Sequence, residues 1–199
     1  QEVFSTAIEV LFGIGSLGIS LGVVIATQDD IIGEKLNGTA AWVLSKPASR
    51  ISFYLSKLLS NLVSALVLMV GVPFMIAFGM LWNKNPEINF SGFLVAVGIL
   101  IVHTGFYLTL SLMIGVFSEK RSAVLFICLA GLLGGQLMMN IVKELLYFSP
   151  FGLSKVMAMV AGEGAKALPG MLWLPVGLTF FASFVFMILS VWKIQKIEL

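Results

Sequence analysis

The sequence predicts an all-α membrane protein, a polytopic bundle of transmembrane helices, and three observations lead to that class. Hydrophobic residues make up 59% of the 199 positions and charged residues only 11%, whereas soluble domains carry about 25% charged residues. The apolar residues collect in five long stretches, and none of these contains Asp, Glu, Lys or Arg. A soluble fold could not cover such a chain with polar surface, so a lipid bilayer must surround it.

Each of the five apolar stretches has the length of a membrane-crossing helix. We predict spans at residues 10–27, 58–81, 93–117, 123–142 and 171–192. A helix rises 1.5 Å per residue, so about 20 residues cross a hydrocarbon core about 30 Å thick. Helices are favoured because open sheet edges cannot be satisfied in lipid and the alternation of barrel strands is absent from the sequence. Residues 1–199 are therefore interpreted as a single transmembrane domain.

The basic residues of the four connections predict how the chain is oriented. Cytoplasmic connections carry an excess of Lys and Arg. Eight of the 12 basic residues lie in 28–57, in the hairpin 118–122 and after the last span, against four in the other two connections. We therefore expect a multi-pass membrane protein with a cytoplasmic C-terminus and Gln1 outside. Because no secretory signal precedes the first span, we expect a six-span parent whose first span is missing from this sequence.

The longest connection with mixed character, residues 28–57, predicts two short helices at the membrane surface. Gly38 can end the first in a left-handed cap, and Thr39 can cap the second. Pro47 ends the second helix, because the residue before a proline avoids the helical region. Ser49 is a candidate N-cap for the helix that enters the membrane, with Arg50 at headgroup level. From the residues alone, the segment is either an ordinary amphipathic linker or a docking element.

The order of residues in this segment resembles a known family signature. The pattern Ile-x-Gly-Glu-x-x-x-Gly-Thr, then Leu-Ser-x-Pro-x-Ser-Arg and Leu-x-Lys, is similar to the signature of ABC type-2 transporter permeases. The matching residues are Gly33, Glu34, Gly38, Thr39, Leu44, Ser45, Pro47, Ser49, Arg50 and Lys57. Ser149-Pro150-Phe151 also resembles a family feature. One departure is the Ala-Ala-Trp-Val sequence after Thr39, where the family has a leucine-rich stretch.

The resemblance implies a permease subunit of an ATP-binding cassette exporter, in a bacterial or archaeal inner membrane. It implies a cytoplasmic interfacial coupling helix within 28–57 that docks on a separate ATP-binding subunit. It also implies three partners: a pair of such subunits, which would bind the ATP and Mg, a second permease copy or paralogue, and the bilayer. The residues implied in coupling and ATPase docking are Glu34, Gly38, Thr39, Pro47, Ser49 and Arg50.

Other patterns point away from an enzyme and from cofactors bound by the chain itself. The run from Gly33 to Thr39 resembles a phosphate loop but lacks the lysine before the threonine. The text Gly13-Ile-Gly15-Ser-Leu-Gly18 matches the dinucleotide fingerprint, but it lies inside a span, where glycines let helices approach closely. We recognise no catalytic set or metal site in the spans. A net charge of +2 gives no nucleic-acid footprint.

Three polar residues within the spans are candidates for a substrate path: His103, Gln136 and Asn140. Polar groups at that depth usually face the bundle interior. His103 could instead be a neutral imidazole bonded to a neighbouring helix, and the other two could bond across helices. The outer connection, about 145–170, has helical apolar spacing and predicts a lid-like segment, either re-entrant or lying on the membrane.

Two other functions remain open on the sequence. An ion-gradient-driven secondary transporter would need ionisable residues and broken helices in its spans, and Pro73 and Pro175 interrupt two spans. A non-transporting membrane anchor or regulatory subunit would share the interfacial segment without a substrate path. The sequence leaves open which substrate is moved and whether the permease pair is identical.

Overall fold

The computed structural model describes residues 2–39, 42, 49–84, 89–142, 148–163 and 170–196. The regular elements of these residues are helical, and the described part of the chain contains no strand. Five of its helical segments are long and apolar enough to cross a membrane. The predicted all-helical class and the predicted number of candidate spans are both confirmed.

We number the α-helices in chain order. They are α1 (Glu2–Thr27), α2 (Ile32–Leu36), α3 (Arg50–Ser64), α4 (Val72–Lys84), α5 (Phe90–Phe117), α6 (Arg121–Ile141), α7 (Leu153–Glu163) and α8 (Leu174–Gln195). A π-helical segment, Ala65–Gly71, joins α3 to α4, and two 3₁₀ turns cover Pro150–Gly152 and Gly170–Trp173. Helix α1 begins before the predicted start at residue 10, and α3 begins before residue 58, because both helices continue past the apolar stretch into turns that carry charged residues.

Pro73 and Pro175, which the sequence predicts to interrupt two spans, affect their helices in different ways. Pro73 lacks an N–H and its ring crowds the carbonyl one turn earlier. The chain responds with π-helical spacing, in which the N–H of Val72 donates to the carbonyl of Val67. The span is therefore wound differently rather than broken. Pro175 lies in the first turn of α8, directly after the 3₁₀ turn that opens the candidate span, and leaves the rest of α8 unbroken, because an N–H is not needed at that position.

Helix α5 forms the centre of the bundle. It packs against α1, α3, α6, α7 and α8, and 56% of its most apolar window is buried, against 17% for the α3–α4 span and for α8. Leu100, Leu108 and Leu112 of α5 are almost fully buried. The apolar residues that face outward on the other spans are those expected against lipid, because lipid tails are as apolar as leucine.

The short helix α7 lies within the segment predicted to be lid-like. Leu153, Val156, Met157 and Val160 are each fully buried, and the helix packs against α1 and α5. The 3₁₀ turn before it places the Phe151 ring directly against the backbone of Gly135 on α6. Over residues 148–163 this connection is therefore part of the packed bundle.

Candidate functional site

One end of the bundle collects the charged residues of the connection after α1, and we call it the basic end. Helix α1 ends there at Thr27, α5 ends at Phe117, α6 begins at Arg121 and α8 ends at Gln195. Helix α2 packs into this end with Ile31 and Ile32 almost fully buried. Although α2 has only five residues, it is thus held by apolar contacts as well as by the polar contacts described next.

Helix α2 is joined to α3 through a charged pair. The Lys57 ammonium forms an ion pair with the Glu34 carboxylate, and both side chains are about one quarter exposed. Nearby, the Asn61 side-chain amide donates to the Asp30 carboxylate and also to the carbonyl of Lys57. The implied docking residue Glu34 is therefore engaged with the helix that enters the membrane next.

A second ion pair joins the start of this segment to α6. The Arg121 Nε atom lies 2.5 Å from the Asp29 Oδ1 atom. The carboxylate of Asp29 also lies against the backbone of Gly33, where an added Cβ would meet its atoms at 2.9 Å. A side chain at position 33 would therefore require the Asp29 carboxylate to move.

Lys35 links α2 to the central helix. Its ammonium donates to the carbonyl of Gly115 at 3.1 Å and to that of Val116 at 2.7 Å. These carbonyls belong to the last turn of α5, where backbone acceptors have no helical partner and the helix dipole favours a cation. Lys35 is thus a C-terminal cap supplied by a distant part of the chain.

Ser49 and Arg50 organise the start of α3. The Ser49 hydroxyl accepts a hydrogen bond from the N–H of Ser52 at 3.0 Å, which confirms the predicted N-cap. The Arg50 guanidinium donates to the carbonyl of Gln195 at 3.2 Å and is 3.5 Å from that of Ile194. These carbonyls end α8, so Arg50 joins the beginning of one candidate span to the end of another.

The turn after α2 has the predicted geometry at Gly38. Its φ of +70° is the left-handed conformation that glycine adopts without strain. Thr39 is exposed, as are Leu36 at 66% and Trp42 at 62%. Pro47 lies outside the described residues. Docking by this segment is not tested by these contacts and stays a prediction.

Sequence reasoning missed the partners that hold the segment together: Asp29, Asp30, Asn61 and Arg121. Sequence reasoning assigned Lys35 no contact with another helix. The sequence does offer one signal for these contacts. Two acidic residues, 29–30, come shortly after the first apolar stretch, and two basic residues, 120–121, lie in the short hairpin between two later stretches. The pairing itself requires knowing that the end of α1 lies beside the start of α6.

Of the three substrate-path candidates, the structure describes the side chains of His103 and Gln136, which lie in different surroundings. His103 is 2% exposed, packs edge to face on Tyr107 with ring centroids 5.1 Å apart, and has no described partner for its Nδ1 atom. Gln136 is half-buried on α6 and lines a cavity of about 480 Å³ that does not include His103. Asn140 lies in the last turn of α6, and its side chain lies outside the described residues.

Comparison with known proteins gives a family and no activity. No curated protein and no solved structure matches the chain. One family model, described as a protein of unknown function (DUF2705), matches residues 2–199. The match covers almost the whole sequence, including α2, the contacts of the basic end and every candidate span. This chain, whose described part has five candidate membrane spans, therefore belongs to the DUF2705 family of proteins of unknown function.

Proposed function

We propose that this protein is the permease subunit of an ATP-driven exporter and that residues 28–57 couple it to a separate ATP-binding subunit. The observation that carries the proposal is the attachment of α2 to several candidate spans at once. Glu34 reaches α3 through Lys57, and Lys35 reaches the end of α5. Just before α2, Asp29 reaches α6 through Arg121.

Such attachment supports transmission of force. A partner that displaces α2 would pull on two or three helices in a defined direction, because charged hydrogen bonds and buried apolar side chains resist separation more than a flexible linker does. Individually each exposed ion pair contributes at most about 1 kcal/mol. Together with the burial of Ile31 and Ile32, they make α2 move as one body with the helix ends. An ordinary surface linker would not need contacts to so many spans.

The outward side of the segment supports a protein partner. Leu36 and Trp42 expose about two thirds of their surfaces at an end rich in charge. Large apolar side chains exposed at a polar surface are typical of protein interaction sites. Because Glu34 is paired with Lys57, we assign partner binding to Leu36 and Trp42 and give Glu34 the role of transmitting the movement to α3.

Co-purification with matched variants tests this assignment. The tagged protein, extracted from its native membrane, is expected to bring a nucleotide-hydrolysing subunit with it. The Leu36→Ser/Trp42→Ala variant should lose that subunit, whereas Trp82→Ala, an exposed tryptophan on α4, should retain it. Glu34→Gln should retain the subunit but lower substrate-stimulated ATP hydrolysis. Absence of any ATP-binding companion, or wild-type behaviour of all variants, would overturn the proposal.

The side of the membrane on which the segment lies can be tested separately. The only cysteine, Cys128, is buried, so a Leu36→Cys variant offers one accessible thiol. A membrane-impermeant maleimide should label it in inside-out vesicles and not in intact cells. A cysteine at Asn89, which is exposed at the start of α5, should show the opposite pattern. Labelling of Leu36→Cys from the cell exterior would exclude contact with a cytoplasmic ATPase.

The energy source separates this proposal from the alternatives. Transport by an exporter of this kind should stop when ATP is depleted and survive dissipation of ion gradients. A secondary transporter would show the reverse dependence. A membrane anchor would support ATP hydrolysis in the complex without movement of any substrate.

A further inference from the structure

A cavity of about 480 Å³ lies between α1, α6 and α7. Gln136 contributes from α6, Glu9 and Gly13 from α1, and Lys155 and Gly162 from α7. It is separate from the contacts of the basic end, and none of the coupling residues borders it. A volume of this size is within the range of small-ligand sites.

Small residues keep this cavity open. An added Cβ at Gly13 or at Gly162 would meet no heavy atom within 4 Å. Ser154, another small side chain, also lines the space. The backbones of α1 and α7 therefore leave room here without a neighbouring side chain filling it. A Cβ at either glycine therefore enters open space and leaves the helices where they are.

The polar groups of the cavity have a specific arrangement. Glu9 and Lys155 bring opposite charges from two different helices, and both side chains are exposed. The ion pairs found among the described residues do not join them. Gln136 adds an amide that can both donate and accept a hydrogen bond. A ligand with one ammonium and one anionic group would satisfy both charges at once, while the exposed Met159 offers apolar surface beside them.

The depth of the cavity indicates where such a ligand would come from. Glu9 precedes Thr27, at the basic end, by 18 residues, which is about 27 Å along a helix. Gln136 follows Arg121 by 15 residues, or about 22 Å. With a hydrocarbon core of about 30 Å, both residues lie near the opposite boundary of the bilayer. That boundary is where lipid headgroups are found.

We propose that this cavity binds the headgroup of a zwitterionic lipid. The ammonium of the headgroup lies against the Glu9 carboxylate, its phosphate lies against the Lys155 ammonium, and Gln136 hydrogen-bonds to the phosphate or glycerol oxygens. Met159 contacts the upper part of the acyl chains. The site does not depend on an ATPase partner, so it can be tested whether or not the exporter proposal holds.

Native mass spectrometry of the full purified chain in detergent, titrated with phosphatidylethanolamine, tests the site. The control lipid is phosphatidylglycerol, which has the phosphate but no ammonium. We expect phosphatidylethanolamine to be retained up to about fivefold better, since a charged contact between exposed groups is worth at most about 1 kcal/mol. Glu9→Gln should remove this preference, and Lys155→Gln should lower retention of both lipids by up to about fivefold. Both substitutions are on exposed side chains, so the fold should tolerate them.

Matched variants separate the cavity from general lipid contact. Gly13→Leu should fill the cavity and abolish selective retention. Gly98→Leu on α5, where an added Cβ also meets nothing within 4 Å, should behave as wild type. Lys84→Gln, which removes an exposed lysine outside the cavity, should also leave retention unchanged.

Three results would overturn the proposal. The first is equal retention of the two lipids by the wild-type protein, which would indicate unselective lipid contact. The second is unchanged selectivity in Glu9→Gln and Gly13→Leu together with unchanged retention of both lipids by Lys155→Gln. The third is binding of soluble phosphoethanolamine as tight as that of the lipid and lost in the same variants, which would make the ligand a soluble zwitterion.

Discussion

Replacing Gly135 with alanine tests the packing of α6 against the turn before α7. A Cβ at this position would overlap the Phe151 ring at Cγ, Cδ1 and Cε1, whereas a Cβ at the adjacent Gly134 would meet nothing within 4 Å. The two glycines are neighbours in the same helix. Gly134→Ala is therefore a matched control that shares every effect of the substitution except the contact with Phe151.

The expected magnitude follows from two terms. Alanine in place of glycine stabilises a helix by about 1 kcal/mol, and this gain is common to both variants. Overpacking a filled site costs about 1–3 kcal/mol. The Phe151 ring cannot relieve the overlap by turning its tip, because Cγ, the ring atom nearest its backbone, is among the overlapping atoms. Gly135→Ala should therefore be less stable than Gly134→Ala by about 1–3 kcal/mol, with the propensity term cancelled.

The assay is unfolding of the purified protein in mixed micelles by increasing mole fraction of SDS, followed by far-ultraviolet circular dichroism. Adding Phe151→Leu to Gly135→Ala should restore part of the lost free energy of unfolding, because leucine has no aromatic ring to overlap the new Cβ. Equal free energies of unfolding for the two alanine variants, or a more stable Gly135→Ala, would refute the packing argument.

Substitutions at three further positions, each with a comparison variant, probe the basic end by the same assay. Lys35→Met keeps the aliphatic stem but removes both hydrogen bonds to the end of α5, so the free energy of unfolding should fall by about 1–2 kcal/mol. Lys120→Met, at an exposed lysine, should change it by less than about 0.5 kcal/mol. Equal effects of the two substitutions would contradict the capping role of Lys35. Ser49→Ala should lower the free energy of unfolding by about 1 kcal/mol, because it removes the N-cap hydroxyl. Ser52→Ala keeps the backbone N–H that bonds to this hydroxyl and should not lower it. A larger loss in Ser52→Ala than in Ser49→Ala would contradict the N-cap role. Gly38→Ala should lower the free energy of unfolding by about 1 kcal/mol, and Gly38→Asn should lower it less, because asparagine tolerates the left-handed conformation. No change in either variant would mean that the turn does not need the left-handed conformation at position 38.

Local chemistry explains why some features of the basic end were predictable. The N-cap at Ser49 and the left-handed turn at Gly38 each depend on a few consecutive residues, and both were found as expected. The ion pair of Asp29 with Arg121 joins positions 92 residues apart, and Lys35 finds its carbonyls 80 and 81 residues away. No local pattern contains such partners. The roles of Glu34 and Arg50 in docking an ATPase stay predictions.

The interior polar residues show a similar division. The sequence marks His103 and Gln136 as unusual because polar groups are expensive within a membrane span. It does not say that Gln136 borders a cavity of about 480 Å³ while His103 packs on Tyr107. That difference depends on how each helix is rotated about its axis. The sequence does not determine this rotation, because a span that is apolar on every side has no polar face to orient it.

By itself the sequence determined that this protein is helical and how many helices are long and apolar enough to cross a membrane. It could do so because the bilayer demands internally bonded, apolar segments of a minimum length, a requirement that each segment meets on its own. The tertiary structure alone decided that α5 lies at the centre, that α7 packs between its neighbours and that Glu9 and Lys155 border one cavity. These features arise from contacts between distant segments, whose rotation and pairing no single stretch of sequence specifies.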